Sequence, residues 1–206
     1  YTRLSDAEEN ERKRLGLAES AQGEITGVAD ELAGRHLQFR PMGAADAEGA
    51  SALEAACFEG AGHEAWTPGM FLSELGEDVA APRSWWVAHD DGQLLGLAGG
   101  MVVDGDVQIL DVAVDPKHRR EGIARKLLSH VSYDAQMLGC TTASLEVEDG
   151  NEGAIALYAS LGFTEAGCRR GYYGVGKDAI VMTAPLPLVL PVDNASPEPT
   201  AAEQRV

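Results

Sequence analysis

The segment "LDVAVDPKHRREGIARKLL" (residues 110–128) changes its hydrophobic period within a few residues, and this change constrains the fold more than any other feature. Alternating apolar residues up to Val114 are typical of a strand, whereas from Ile123 apolar residues recur every three or four positions, as in a helix. The first N–H groups of a helix lack partners and carry the positive end of its dipole, and Gly122 and Ala124 leave room for an anion to approach them. The segment therefore predicts a strand, a basic anion-binding loop and a helix.

The remaining patterns predict a chain that alternates strands and helices around this segment. A "DG" turn joins two apolar strands, and Gly105 leads from the second of these into the strand that precedes the basic loop. Strands are predicted for residues 36–42, 84–90, 93–103, 106–115, 141–148, 163–173 and 178–186, and helices for 44–58, 67–75, 122–138 and 151–162. The order β-α-α-β-β-β-α-β-α-β-β favours one mixed α/β domain.

Composition limits the classes of partner and the domain organisation. The 206 residues carry a formal net charge of −17, which argues against binding a nucleic-acid backbone. Three cysteines without a CxxC pair and five histidines without HxxH spacing indicate neither a disulfide framework nor a metal site, and we expect a cytoplasmic protein without a membrane segment. We expect an N-terminal helical arm or linker over residues 1–36, a folded domain over 37–185 and a disordered proline-rich tail over 186–206.

Two motifs carry a resemblance to a known family. The basic loop has the form [QR]xxGx[GA] at Arg119, Gly122 and Ala124, and it resembles motif A of the GNAT superfamily of N-acetyltransferases. The block "SLEVEDGNEGAIALYASLGF" (residues 144–163) is similar to motif B of the RimI branch, followed by "RRGYY" and "DAIVM" as in that branch. The positions that match the block are Leu145, Glu146, Val147, Asn151, Ala154, Leu157, Tyr158, Gly162 and Phe163.

The resemblance implies a GNAT fold, in which a mixed, mostly antiparallel seven-stranded sheet has a V-shaped split and is flanked by four helices. It implies direct acetyl transfer from acetyl-CoA, without a metal, to the α-amine of an N-terminal alanine in a small-subunit ribosomal protein. The acetyl-CoA-binding residues that it implies are Val112, Ala113, Val114, Arg119, Arg120, Glu121, Gly122, Ile123, Ala124, Arg125 and Asn151.

The resemblance also assigns the two proton transfers that amide formation requires. Glu146 is implied as the general base, acting through water on the ammonium, and Tyr158 as the general acid that protonates the leaving thiolate. The alternatives are a solvated strand carboxylate at Glu146 and a tyrosine at the edge of the core at Tyr158. Asn151 is equally well explained as a helix N-cap.

Aromatic residues near two predicted loops are candidates for the substrate groove. Trp66, Tyr172 and Tyr173 are expected to line it, with core or rim packing as the alternative. Glu148 stands where the family usually has arginine, and it either faces solvent or makes the groove more acidic.

Two other functions stay open at this level. One is acetylation of a small amine or antibiotic, and the other is a catalytically idle CoA-binding module that docks to tRNA-modification proteins. The second is suggested by "YTRLSDAE" (residues 1–8), which resembles the end of a TsaB protein and implies TsaB/TsaD-type partners.

Overall fold

The computed structural model describes residues 28–32, 35–58, 65–76 and 79–189, in which one sheet is flanked by helices on both faces. The strands are β1 (Val28–Leu32), β2 (Arg35–Pro41), β3 (Arg83–Asp90), β4 (Gln93–Val103), β5 (Asp106–Val114), β6 (Thr142–Glu148), β7 (Thr164–Arg169) and β8 (Ala179–Pro185). The α-helices of the described part are α1 (Ala47–Phe58), α2 (Pro68–Glu74), α3 (Ile123–Met137) and α4 (Glu152–Ser160), with single 3₁₀ turns at Ala44–Asp46 and Pro116–His118.

The sheet is antiparallel except at one central pair of strands. Its strand order is β1-β2-β3-β4-β5-β6-β8-β7, and β5 runs parallel to β6. These two strands pair only where residues 106–108 face residues 142–144, and beyond that point they separate. We call the gap between residues 109–114 of β5 and residues 145–148 of β6 the opening.

The predicted order of elements is confirmed from β2 to β8, and these are the seven strands expected from the sequence. β1 is additional and pairs with β2, so residues 28–32 of the expected N-terminal arm form a strand, not a helix. Residues 170–173 belong to a turn, because β7 ends at Arg169 and not at 173. The expected helix near residues 5–16 and the tail beyond residue 189 lie outside the described residues.

The sheet separates two apolar clusters. On one face α3 and α4 pack against the sheet, and the buried side chains there include Leu37, Phe39, Val107, Ile109, Ile123, Leu127, Val131, Leu145, Val147 and Phe163. On the other face α1 and α2 cover Met42, Ala50, Leu53, Phe71, Trp85, Leu97 and Ala113. The predicted apolar face of α3 is confirmed except at its end, where Leu138 is the C-cap and is exposed.

A bulge in the β4–β5 ladder determines which face the second half of β5 presents. The register shifts between Gly99 and Gly100, so Leu110 is an extra residue on β5. Because a bulge reverses the alternation of side chains, Ile109 packs with the α3 cluster, whereas Leu110 and Ala113 pack with the α1 cluster. Asp111 follows the same alternation as Ala113 and is directed to the α1 side.

Gly99 is required at this bulge by packing. A Cβ atom placed there would lie 2.3 Å from the ring of Trp85, a distance that no side chain tolerates. The indole of Trp85 therefore packs directly against the backbone of β4 at the bulge, and only glycine leaves room for it there.

Candidate active site

The opening presents strand backbone without a strand partner. The Asp115 N–H donates to the Leu95 carbonyl (2.9 Å), and in an antiparallel ladder successive residues alternate between facing the partner and facing away. Val112 and Val114 therefore direct their backbone groups away from β4 and into the opening. Ala113 directs its own backbone groups to β4, so its predicted backbone role toward acetyl-CoA does not fit this geometry.

The loop predicted to bind an anion is residues 115–122, between β5 and α3. Gly122 is the N-cap of α3 with φ 88°, a left-handed conformation that favours glycine, and no side chain caps the helix. Arg120 also adopts a positive φ of 70°. The first N–H groups of α3 are thus left for a ligand, as a pyrophosphate requires.

The charged side chains of this loop and of the first turn of α3 contact different parts of the fold. Arg119 Nε donates to the Val114 carbonyl (3.4 Å), which puts its guanidinium at the mouth of the opening. Glu121 turns away from the opening to Arg35 (3.4 Å) and to His118 (3.3 Å), so it fixes the loop to β2. Arg125 Nη2 donates to Ser160 Oγ (3.0 Å) on α4.

The two remaining residues at the start of α3 contribute mainly backbone. Ile123 is 1% exposed and lies in the core, and Ala124 is half-buried. Neither side chain obstructs the helix N-terminus, so the fold provides the bare helix entrance that the sequence predicted.

Glu146 lies on β6, on the face opposite to the buried Leu145 and Val147. One carboxylate oxygen accepts a hydrogen bond from Arg169 Nη1 (2.7 Å), and the side chain is 30% exposed. The Tyr173 hydroxyl donates to the Glu146 backbone carbonyl (3.1 Å). Glu146 is therefore neither free nor buried: it is an ion-paired carboxylate within reach of water.

Tyr158 is buried on α4 and packs edge-on against Phe163, with 5.8 Å between ring centroids. Burial raises the pKa of its hydroxyl above the ordinary value, and the charges of Asp111 and Tyr173 add to this. The hydroxyl therefore keeps its proton throughout the neutral range and can only donate it to a stronger base. A thiolate is a weaker base than this tyrosinate, so toward the leaving thiolate the predicted general acid offers a placed hydrogen bond more than its own proton.

The predicted groove residues lie at two places around the opening. Tyr172 and Tyr173 pack edge-on, 4.9 Å between centroids, in the turn between β7 and β8, and Tyr172 is 48% exposed. Burial raises the pKa of Tyr173 to about 12, with Tyr172, Glu146 and Glu148 adding to the effect. Trp66 precedes α2 and packs against Phe71 and Trp85, as the core-packing alternative expects, and its place in the groove stays a prediction.

Two further predicted residues have defined structural partners. Asn151 caps α4, since its side-chain oxygen accepts from the Ala154 N–H (3.2 Å), which confirms the capping alternative without testing a contact to CoA. Glu148 forms an ion pair with Lys177 (3.1 Å) near the same edge as Glu146.

A pair of buried carboxyl groups that was not predicted from the sequence lies near the opening. Asp111 is 9% exposed and Glu54, on α1, is 2% exposed; their charges interact, and Glu54 accepts a hydrogen bond from the Trp66 N–H. Burial first, and then Glu54, raises the pKa of Asp111 to about 7, while the Val112 N–H acts in the opposite direction. The signal in the sequence was a carboxyl in the middle of the apolar run "ILDVAV".

None of the helices in residues 28–32, 35–58, 65–76 and 79–189 is both long and apolar enough to cross a membrane. Within the same ranges, no three His, Cys, Asp or Glu side chains are grouped so that they could hold a metal ion.

Comparison with known proteins agrees with this geometry. Residues 48–163 match the acetyltransferase (GNAT) family. The chain is 36% identical over 124 residues to the [ribosomal protein bS18]-alanine N-acetyltransferase of Escherichia coli (strain K12), covering 59% of this chain and 81% of that protein. It is 38% identical over 144 residues to the N-alpha-acetyltransferase RimI of Mycobacterium tuberculosis (strain ATCC 25618 / H37Rv), covering 67% and 85%.

A solved structure gives the same result. The crystal structure of the ribosomal-protein-S18-alanine N-acetyltransferase from Escherichia coli superposes with a TM-score of 0.63 at 30% identity, covering 78% of this chain and 99% of that one. This chain therefore combines three features in that fold: the split between β5 and β6, the N-terminus of α3 without a side-chain cap, and the matched sequence block. The chain belongs to the GNAT family of acetyl-CoA-dependent acetyltransferases, and it is an N-acetyltransferase.

Proposed function

We propose that the chain acetylates the α-amine of an N-terminal alanine in a small-subunit ribosomal protein. The observation that carries the proposal is the arrangement at the opening, where a buried tyrosine on α4 and a water-accessible carboxylate on β6 lie beside unpaired strand backbone. The names of the two relatives, which refer to bS18-alanine and N-alpha acetylation, support the same acceptor. The net charge of −17 suits a basic protein tail by long-range attraction.

The acetyl donor is held by backbone more than by side chains. The N–H groups at the start of α3 and the guanidinium of Arg119 would bind the pyrophosphate, and the open edges of Val112 and Val114 would pair with the pantetheine arm. Bound acetyl-CoA supplies the thioester whose carbonyl carbon is attacked by the amine. A backbone N–H directed at the developing oxyanion in a water-poor site contributes about 3–4 kcal/mol of transition-state stabilisation.

Two residues would move the protons. Glu146 receives a proton from the acceptor ammonium through water, with the carboxylate oxygen that Arg169 does not hold, so that the nitrogen lone pair can form the C–N bond. Tyr158, as the general acid, donates a hydrogen bond to the thiolate as the C–S bond breaks, and the second proton that the nitrogen loses on amide formation balances the one that the thiol gains. Because amine and thioester meet in one ternary complex, no covalent enzyme intermediate is needed.

A thiol-release assay with a panel of acceptors tests this proposal. Release of CoA is expected with peptides that carry a free N-terminal alanine followed by arginines, and mass spectrometry should place the acetyl group on the α-nitrogen. The same peptides with a blocked N-terminus are the control and should not react. Exclusive modification of lysine side chains, or a preference for small amines over all peptides, would reject the acceptor.

Two finer proposals concern the setting of the reaction. A cytoplasmic location agrees with the ribosomal acceptor and with three free cysteines, Cys57, Cys140 and Cys168.

Association with a TsaB/TsaD-type complex follows from the resemblance of residues 1–8 to the end of a TsaB protein. Co-elution with a purified TsaB-type protein in size-exclusion chromatography is the expected result, and separate elution at micromolar concentrations would reject the association.

A further inference from the structure

Asp111 is a buried acid that the reaction described above does not use. Its charge interacts with Glu54 and Cys57 on α1 and, across the sheet, with Tyr158 on α4. Its Oδ2 atom is buried and has no hydrogen-bond partner. A buried carboxyl oxygen without a donor is costly, so its presence requires an explanation.

The position of Asp111 points to the opening. The bulge at Leu110 turns its side chain to the α1 side, where the partly buried Trp66 packs against the apolar cluster. Its carboxyl interacts with the Val112 N–H, and that N–H is directed into the opening. Asp111 therefore lies beside the edge of β5 that faces the opening, and its charge interacts with Tyr158 on α4.

We propose that Asp111 binds the ammonium group of the acceptor and holds it beside Tyr158, and that Glu54 is a positioning residue for this contact. The inference rests on the proposed amine acceptor. It assigns different tasks to the two carboxylates, since Asp111 holds one N–H of the acceptor while Glu146 takes another proton through water.

Charge explains why the ligand is an ammonium. Two carboxyl groups, Asp111 and Glu54, are buried side by side, and the orphan oxygen requires a donor. An ammonium provides both a positive charge and an N–H donor, and such charge-assisted hydrogen bonds are about twice as strong as neutral ones. The guanidinium of Arg119 donates to the Val114 carbonyl and interacts with Cys57 instead.

Binding through Asp111 has a specific pH dependence. The carboxylate must be ionised, so binding improves as the pH rises through its raised pKa of about 7. It weakens again when the acceptor loses its charge, at a pKa near ~8 for a free α-amine. Removing the Glu54 charge lowers the Asp111 pKa, because like charges raise it, so Glu54→Gln should move the lower limb of this profile to lower pH.

The test is calorimetric titration of the CoA-bound protein, which cannot turn over, with two peptides. One begins with alanine and continues with arginines, and the other carries a propionyl group in place of alanine and so lacks only the amine. The wild-type protein should bind the first about 10-fold or more tightly at pH 7.5, as expected for one charge-assisted hydrogen bond in a buried site. Asp111→Asn, a nearly isosteric change, should bind the two peptides equally.

Two other variants complete the design. Asp104→Asn makes the same chemical change in the exposed β4–β5 turn, where φ is 50° and asparagine is well tolerated, and it should keep the wild-type preference. Glu54→Gln retains an oxygen for the Trp66 N–H and should keep the preference while shifting the lower pH limb downward.

The outcomes separate this inference from the proposed function. If the wild type prefers the amine peptide and Asp111→Asn preserves that preference, the inference is wrong and the proposed function stands. If the wild type acetylates only small amines, the proposed function is wrong, and the same comparison with the best amine and its uncharged analogue decides the inference. Acetyl-CoA affinity within twofold of wild type in Asp111→Asn shows that the variant is folded.

Discussion

Each of the two strands that border the opening carries a carboxylate to which we assign a role. The two carboxylates differ in exposure, in ion pairing and in hydrogen bonding. Glu146 on β6 is 30% exposed and is paired with Arg169. Asp111 on β5 is buried, lies next to a second carboxyl group and has an oxygen without a donor. A proton acceptor that works through water needs contact with water, whereas a group that holds a cation gains most from burial. The difference thus suits one strand to proton transfer and the other to acceptor binding.

The largest expected effect is on the β6 side. Glu146→Gln should reduce kcat roughly 10²-fold or more near pH 7, a typical contribution of a general base, while peptide and acetyl-CoA affinities stay within a few-fold of wild type. The deficit should shrink above pH ~8, because the amine then arrives without its extra proton. Steady-state rates from pH 6 to 9.5 measure this.

Glu148→Gln is the matched control for this variant, because Glu148 lies two residues further along the same strand and is paired with Lys177. It should show a smaller loss without the same dependence on pH. Full activity of Glu146→Gln at pH 7 would assign Glu146 to the solvated strand residues and leave the proton to bulk water.

Tyr158→Phe should have the next largest effect and should differ in its pH profile. The thiolate needs its hydrogen bond whether or not the amine is charged, so a loss of about 10-fold or more in kcat should persist to pH 9.5. The raised pKa of Tyr158 keeps the hydroxyl protonated over this range, so the wild type itself loses no acid as the pH rises. A deficit that disappears at high pH would instead link Tyr158 to the ammonium, on the side of Asp111.

A third variant tests the binding of acetyl-CoA independently of Glu146 and Asp111. Gly122→Val places a branched side chain at the start of α3, and acetyl-CoA affinity measured by calorimetry should fall about 10-fold. Valine is also strained at a φ of 88°, so stability should fall as well.

Gly105→Val corrects for that strain, because Gly105 has a φ of 81° in a turn where an added Cβ meets nothing within 4 Å. It should lose similar stability and keep its acetyl-CoA affinity. Equal affinity losses in both variants would mean that the loop of residues 115–122 does not bind the pyrophosphate.

The sequence predicted the β6 side of the opening better than the β5 side, for a physical reason. Glu146, Asn151 and Tyr158 lie within one strand and the helix that follows it, so their relative positions depend on local geometry, and the matched block specifies them together. The order of strands and helices along the chain followed in the same way from periodicity and turns. Here local pattern and final structure agree.

The β5 side depends on events that are distant in sequence. The face presented by Asp111 is decided by a bulge opposite Gly99 and Gly100, and its neighbour Glu54 is 57 positions away on α1. Simple alternation would place Asp111 on the same face as Val107 and Ile109, in the other core cluster. The pairing of β1 with β2 is a comparable case, because no strand was predicted for residues 28–32.

The smallest expected effect is on the free energy of unfolding, and it tests whether the buried Asp111 carboxyl lowers stability as the pH rises. Its pKa is raised from an ordinary value of 3.8 to about 7, so between these values the folded state binds more protons than the unfolded state. This contribution to stability is complete below pH ~4 and is lost as the pH rises through 7. Urea denaturation should therefore show that wild-type stability falls between pH 5 and pH 8 by roughly 1–3 kcal/mol more than that of Asp111→Asn. Glu146→Gln should change stability by no more than about 1 kcal/mol, as expected for a partly exposed ion pair. If Asp111→Asn shows the same pH dependence as the wild type, the buried carboxyl is already compensated within the fold, and the reason for expecting an acceptor ammonium beside it would be removed.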